Sequence, residues 1–214
     1  MNEKVELIKI KNRQICKISN HLIEAKYKLT LEEQRLILLT IAQVDVDDED
    51  FKTYEIKIKD LEDKTGSLKK YSRLKKFMET IIKKPIWISE EQVVAWFSSL
   101  KYIKGEGRLE VRFDKALKPF LLQLKKEFTK YSLNCLLNLQ SVYAIRIYQL
   151  LKQYQTIGKR KFDVDELREI LQTPKSYKDF QLFSKKVLEQ AKKEINVKTD
   201  IKIDWEVTKR AYKW

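Results

Sequence analysis

The chain reads as an α+β protein built from two tandem copies of one unit, each a helix-turn-helix followed by a β-hairpin. The first observation behind this is an internal repeat. Setting residue i against residue i+106 pairs Ile56 with Phe162, Ile58 with Val164, Leu61 with Leu167, Tyr71 with Tyr177, Leu74 with Phe180, Phe77 with Phe183, Ile81 with Val187 and Ile82 with Leu188, without a gap. The polar positions between them differ freely, as expected of one buried skeleton carrying two different surfaces. The second is that each copy is introduced by an amphipathic helix (Leu31 to Ala42, Val142 to Tyr154) and followed by a β-prone stretch. The third is the scarcity of breakers: four Gly and three Pro in 214 residues leave room for helices and little for long loops.

The order helix, short strand, helix, turn, long helix, hairpin is that of a winged-helix domain, and two such units fill the chain. The boundary is expected near residue 130, giving units at 1–130 and 131–214. Residues 1 to 20 alternate and suit an edge strand or an arm. Thr30 precedes a helix whose first turn carries Glu32 and Glu33, where the helix dipole favours anions. Tyr54 to Ile58 predicts a strand, Leu61 to Lys64 a short helix, Gly66 and Ser67 a turn, and Lys70 to Lys83 a long helix stopped by Pro85. Ile86 to Phe113 holds three strand candidates, IWI, VVAWFSSLKYI and RLEVRF, with Gly105-Glu106-Gly107 as the hairpin turn. Its aromatics Trp87, Trp96, Phe97 and Tyr102 exceed what a small hairpin hides, so either a dimer interface or intradomain packing takes them up. Asp114 to Tyr131 predicts a short helix or a pair of helices, and Ser132 to Leu139 leads into the second unit.

In the second unit the strand-like KFDV leads to a short helix, Val164 to Leu171, a turn at Pro174, and a long helix capped by Ser176 and running to about Thr199. Asp163 and Asp165 are expected to alternate on the strand, at the surface. Tyr177, Phe180, Phe183, Val187, Leu188, Ala191 and Ile195 form the helix's inner stripe. Its outer side holds Lys178, Gln181, Ser184, Lys185, Lys186 and Lys192, with Lys175 and Ser176 at its start. Residues 201–214 predict a hairpin with a basic turn at Lys209 and Arg210; its return strand stops at Trp214, which suggests a wing cut short. On the equivalent helix of the first unit the outer side holds Lys69, Lys70, Arg73 and Lys76.

Composition narrows the function. The net charge is +14, shared evenly: residues 131–214 carry 17 basic and 10 acidic side chains, leaving 28 and 21 for residues 1–130. Such an excess points to a polyanion, and nucleic acid fits better than a membrane because no lipid-facing segment of about 18 apolar residues accompanies it. Two isolated Cys, a lone His21 and an acidic run at Asp45 to Asp50 that lacks the Gly and distal Glu of a calcium loop suggest no metal site, cofactor or disulfide framework. There is no phosphate-binding G-x-x-x-x-G-K-[ST] and no His-rich nickase motif, so a binder is expected rather than an enzyme. No signal peptide begins the sequence, which reads as cytoplasmic. On an outer helical face Lys and Ser reach phosphates, Gln181 can take adenine in bidentate fashion, and Lys can bond guanine.

With that skeleton in place, the chain resembles the iteron-binding replication initiators of plasmids, the Rep family of tandem winged-helix proteins. The resemblance lies in Asn20-x-Leu22-Ile23-x-Ala25, Leu29 and Glu33-x-Arg35, and in Tyr143-Ala144-x-Arg146-x-Tyr148-x-Leu150-Leu151-Lys152-Gln153-Tyr154. It continues through Tyr177, Phe183, Lys186, Val187-Leu188 and Glu194-Ile195-Asn196. It implies that the second unit reads part of a directly repeated origin element of double-stranded DNA through Lys178, Gln181, Ser184, Lys185 and Lys186. The first unit would make weaker DNA contacts and the homodimer interface. It also implies that monomers bind origin repeats and engage a host initiator and helicase, while dimers bind an operator and repress the protein's own gene. The family often has Arg on this helix where this chain has Lys and an Asp179, which removes bidentate guanine reading by Arg. The rival reading is a winged-helix transcription regulator with no replication role.

Overall fold

A computed structural model describes residues 15–61, 68 and 70–208. The chain opens with β1 (Ile15–Ser19), which pairs antiparallel with β7 (Phe128–Ser132), Ile15 opposite Ser132 and Ser19 opposite Phe128. The alternating stretch that suited an edge strand is thus tied to a segment more than a hundred residues away. The segment expected to be a short helix or a pair of helices up to Tyr131 gives a 3-10 turn (Lys115–Leu117) capped by Asp114 and the short helix α5 (Lys118–Leu121), but its end is the strand β7. Phe128, Tyr131 and the β-branched Thr129 suit a strand, and β1 supplies the partner.

Ser19 accepts the His21 N–H and starts α1 (Asn20–Glu24). Residues 25–30 then run without helix to Thr30, where a reciprocal cap forms. The Thr30 hydroxyl accepts the Glu33 N–H at 3.3 Å, and Glu33 accepts the Thr30 N–H at 2.7 Å, opening α2 (Leu31–Ile41). β2 (Tyr54–Lys57) and α3 (Ile58–Leu61) follow, and α4 (Tyr71–Ile81) is the long helix of the first unit.

The hairpin region differs from expectation at one point. The long strand candidate divides at Trp96: β3 (Pro85–Trp87) pairs with β4 (Val93–Ala95), whereas β5 (Phe97–Ile103) pairs with β6 (Arg108–Phe113). Trp96 is 2% exposed and sits edge-on to Tyr27 with ring centroids 5.0 Å apart, and its carbonyl accepts the Asp114 N–H. Burying so large a ring at the division sends the two halves to different partners. β6 is the centre of a three-stranded sheet, order β2-β6-β5, turned by Gly105 and Gly107 at φ 88° and 62°, a region that only Gly enters freely. Trp96 and Phe97 therefore belong to the core, while Trp87 and Val93, opposite each other on β3 and β4, stay exposed.

α6 (Leu133–Asn138) and α7 (Val142–Lys152) follow, then α8 (Val164–Ile170). The strand expected at KFDV does not form among the described residues. Arg160 is drawn to Glu24 of α1 by two hydrogen bonds of 2.7 and 2.8 Å, and Asp163 caps α8 by accepting the N–H groups of Asp165 and Glu166. Asp163 and Asp165 thus start a helix instead of alternating on a strand. The long helix is also divided: a single 3-10 turn (Lys175–Lys178), then α9 (Phe180–Phe183), a wide turn (Ser184–Leu188) and α10 (Glu189–Lys198). Its cap is Asp179, not Ser176.

One hydrophobic core runs through both units, from Cys16, Leu22 and Leu36 through Trp96 and Phe113 to Tyr148, Phe183 and Ile195. Arg146 of α7, 3% exposed, donates to the Tyr27 hydroxyl and, at 2.8 Å, to the Ala25 carbonyl. With Lys26 paired to Glu169 at 2.6 Å, the stretch between α1 and α2 is bonded to both α7 and α8.

Candidate nucleic-acid interface

α8, the turn at 171–179 and the α9–α10 helix form a helix-turn-helix, and its geometry follows from a few side chains. α8 ends on Gln172, at φ 49°, after which the Thr173 N–H returns to the Arg168 carbonyl. Arg168 then holds the turn. Its guanidinium donates to the carbonyls of Tyr177 (3.1 Å) and Lys178 (2.8 Å), pairs with Asp165 at 2.7 Å, and lies over the Phe183 ring. Asp179 is extended at φ −63° and ψ 127°, so no continuous helix runs from Ser176. The long helix begins after Asp179, whose side chain accepts the Leu182 N–H at 2.8 Å.

Two carboxylates fasten the long helix to α7. Glu194, 6% exposed, accepts the backbone N–H groups of Gln140 (2.6 Å) and Ser141 (3.3 Å) at the start of α7, with Gln190 and Lys198 also on it. Burial pushes the Glu194 carboxyl up, but those donors outweigh it and hold it below the usual range. Asp200 takes the Tyr148 hydroxyl and the Lys152 ammonium, at 2.8 and 2.5 Å, near the other end of α7. Burial opposes its ionisation and the two hydrogen bonds prevail, so it too is held low, while the Tyr148 phenol is pushed far up, mainly by burial.

On this frame Gln181 of α9 and Lys185 and Lys186 of the wide turn are exposed, with Lys175, Ser176 and Lys178 exposed on the preceding 3-10 turn and Ser184 half-buried among them. Lys178, Lys185 and Lys186 make no ion pair among the described residues. Lys192 stands apart: its ammonium pairs with Asp204 at 2.7 Å, which raises its pKa and lowers that of Asp204. This pair ties α10 to the extended residues 201–208, as does Asn196, bonded both ways to Ile203, while Trp205 sits edge-on to Phe180 of α9. Those residues form no strand pair among the described ones; Lys209 and Arg210, expected in the wing turn, lie outside the described residues, as does Lys69. In the first unit Lys70, Arg73 and Lys76 are all exposed along α4, beside Tyr71, which is 65% exposed and packs on Tyr102 of the hairpin.

The comparisons with known proteins agree with this architecture. The sequence profile of the first winged-helix domain of the initiator replication proteins matches residues 15–152, and that of their second winged-helix domain matches residues 163–213. The chain belongs to the initiator replication protein family. Among its relatives is a PI protein of Escherichia coli, 31% identical over 125 residues that cover 51% of this chain and 40% of that one. A replication initiation protein of Escherichia coli is 25% identical over 202 residues, covering 86% and 63%. The chain thus spans less than two thirds of the length of either. The solved structure of the Pi initiator protein in complex with iteron DNA is similar with a TM-score of 0.71 and 25% identity, over 91% of this chain and 90% of that one.

The residues that hold the helix in place, and to which the sequence gave no such role, are Arg168, Asp179, Glu194 and Asp200. Asp179 at a cap position before an apolar run was a legible signal; Glu194 and Asp200 were not, because their partners lie some fifty residues upstream. No group of His, Cys, Asp and Glu among the described residues could hold a metal ion, and no helix among them is long and apolar enough to cross a membrane.

Proposed function

We propose that this chain is a plasmid replication initiator that binds directly repeated double-stranded DNA, the iterons of its origin, and that it acts by binding instead of catalysis. The observation that carries the reading is the exposed arc of Lys178, Gln181, Lys185 and Lys186, whose lysines make no ion pair among the described residues, presented by a helix-turn-helix in a chain similar along nine tenths of its length to an initiator solved on iteron DNA. In this reading Lys178, Lys185 and Lys186 meet phosphate oxygens and guanine edges, Gln181 pairs with adenine, and the α8 end crosses the backbone, as in other helix-turn-helix proteins. α4 contributes Lys70, Arg73 and Lys76 as a second, weaker contact, and Lys209 and Arg210 grip the backbone from the wing. The division of labour falls near residue 130: monomers occupy the repeats and engage host replication proteins, and dimers joined through the first unit repress the protein's own gene.

The test is a nuclease footprint of the purified protein on the DNA flanking its own gene, at two salt concentrations. Protection of several equally spaced direct repeats is expected, weakening steeply with salt. A single inverted repeat with no array would make the protein a plain regulator, and protection without discrete edges would remove sequence recognition altogether.

A further inference from the structure

The four innermost residues of the long helix, Phe183, Val187, Ala191 and Ile195, are each 0% exposed and follow one another at intervals of four. On a regular α-helix this spacing drifts steadily off one face. Each four-residue step overshoots a full turn by roughly 40°, so three steps would carry Ile195 about 120° away from the face of Phe183. The chain reconciles the spacing with one wide turn: the Glu189 N–H bonds to the Ser184 carbonyl, five residues back, over Ser184–Leu188. Such a turn takes up one extra residue, and wide turns of this kind inside α-helices gather at functional sites. Here the extra residue falls on the outer arc. Three residues, Ser184, Lys185 and Lys186, lie between inner positions 183 and 187. At the equivalent point of α4 the same three-residue spacing, Met78, Glu79 and Thr80 between Phe77 and Ile81, runs on an uninterrupted helix, and there Phe77 is only half-buried.

We propose that the wide turn is a specificity device: it swells the outward arc at Ser184-Lys185-Lys186 into the contact with DNA bases, and the fold does not require it. The inference rests on the DNA-binding reading above. It has a sharp consequence for the core. Removing one residue from the turn changes the inner spacing from 4-4-4 to 3-4-4, eleven residues in three turns, which a regular α-helix matches to within roughly 20°. All four inner side chains would remain on one stripe, and only the swelling would go.

The experiment compares the full chain with a variant from which Lys186 is deleted, one from which Lys185 is deleted, and the point variants Lys185→Ala and Lys186→Ala. Each is measured for denaturant unfolding and for binding to the footprinted repeat and to an unrelated duplex of the same length. Both deletions are expected to unfold cooperatively, at a midpoint no lower than the point variants. On the repeat they are expected to lose roughly tenfold to a hundredfold in affinity, more than either alanine variant, the loss of one or more base contacts. On the unrelated duplex they should lose no more than an alanine variant does. Deletions that fail to fold would make the turn a requirement of the core and overturn the proposal. Deletions that match Lys186→Ala on both duplexes would overturn it equally, leaving one lysine's charge as the whole effect. If the unaltered chain prefers no repeat, the DNA-binding reading itself fails, and that result is visible before any variant is compared.

Discussion

α4 and the α9–α10 helix occupy the same place in the two copies, yet they bury different residues of the shared skeleton. In α4 the innermost side chains are Leu74 and Ile81, with Phe77 only half-buried. In the second unit Phe183, the counterpart of Phe77, is 0% exposed under the Arg168 guanidinium, while Phe180, the counterpart of Leu74, is half-buried against Trp205. The difference teaches that a repeated apolar pattern conserves which residues can face inward, whereas neighbours decide which of them do. Arg168 and the Asp179 cap set the start of the second helix, Glu194 and Asp200 set its far half, and none has a counterpart on α4. The wings differ too: β5 and β6 form a paired hairpin on β2, while residues 201–208 lie extended along α10 without a strand partner among the described residues.

The largest test of this contrast is truncation of the paired phenylalanines. Phe183→Ala is expected to cost about 3–5 kcal/mol in denaturant unfolding, as for a fully buried ring, and Phe77→Ala only about 1 kcal/mol, in keeping with its partial exposure. Equal losses would mean that the two helices sit alike after all.

Next comes the fastening of α10 to α7. Glu194→Gln, which keeps the shape and removes the charge from the backbone donors of Gln140 and Ser141, should cost about 2 kcal/mol at neutral pH. Glu194 and Asp200 both have folded pKa values below their unfolded ones. Their stabilisation is therefore fully present above the ordinary carboxylate range and is lost as pH falls through the depressed values. Positions 88 and 94 of the first unit, their counterparts in the repeat, are Ile and Val. Acid should accordingly loosen the second unit before the first, and Glu194→Gln should flatten that pH dependence; an unchanged acid profile would refute the assignment.

The DNA contacts offer a contrast of moderate size. Lys185→Ala is expected to weaken binding to the target repeat by roughly tenfold and to relax base preference. Arg73→Ala on α4 should lower affinity for all sequences by about the same factor and reduce the salt slope by about one. Reversed behaviour would exchange the roles of the two helices. The smallest effect is at the turn: Gln172→Gly, relieving a left-handed backbone, should raise stability by up to about 1 kcal/mol.

The gap-free repeat, the Thr30 cap, the Gly105-Glu106-Gly107 turn and the stop at Pro85 were all legible because each depends on residues close in sequence. Errors arose where a distant partner outbid a local preference. Ser176 had the right chemistry for a cap but lost to Asp179, which is extended in a turn that Arg168 holds from α8. KFDV had a strand's composition, but Arg160 answers to Glu24, more than a hundred residues away. Lys192 looked like its neighbours on the outer face until Asp204 was seen to hold it.

By itself the sequence determined the two-unit α+β plan, the family and the basic outer arc of the long helix, since periodicity, capping and charge are local and additive. Only the tertiary structure decided the division at Trp96, the wide turn at Ser184–Leu188, and which lysines are left unpaired. Each of these depends on where buried groups find partners across the core, and a chain read in order cannot reveal which distant residue will arrive there.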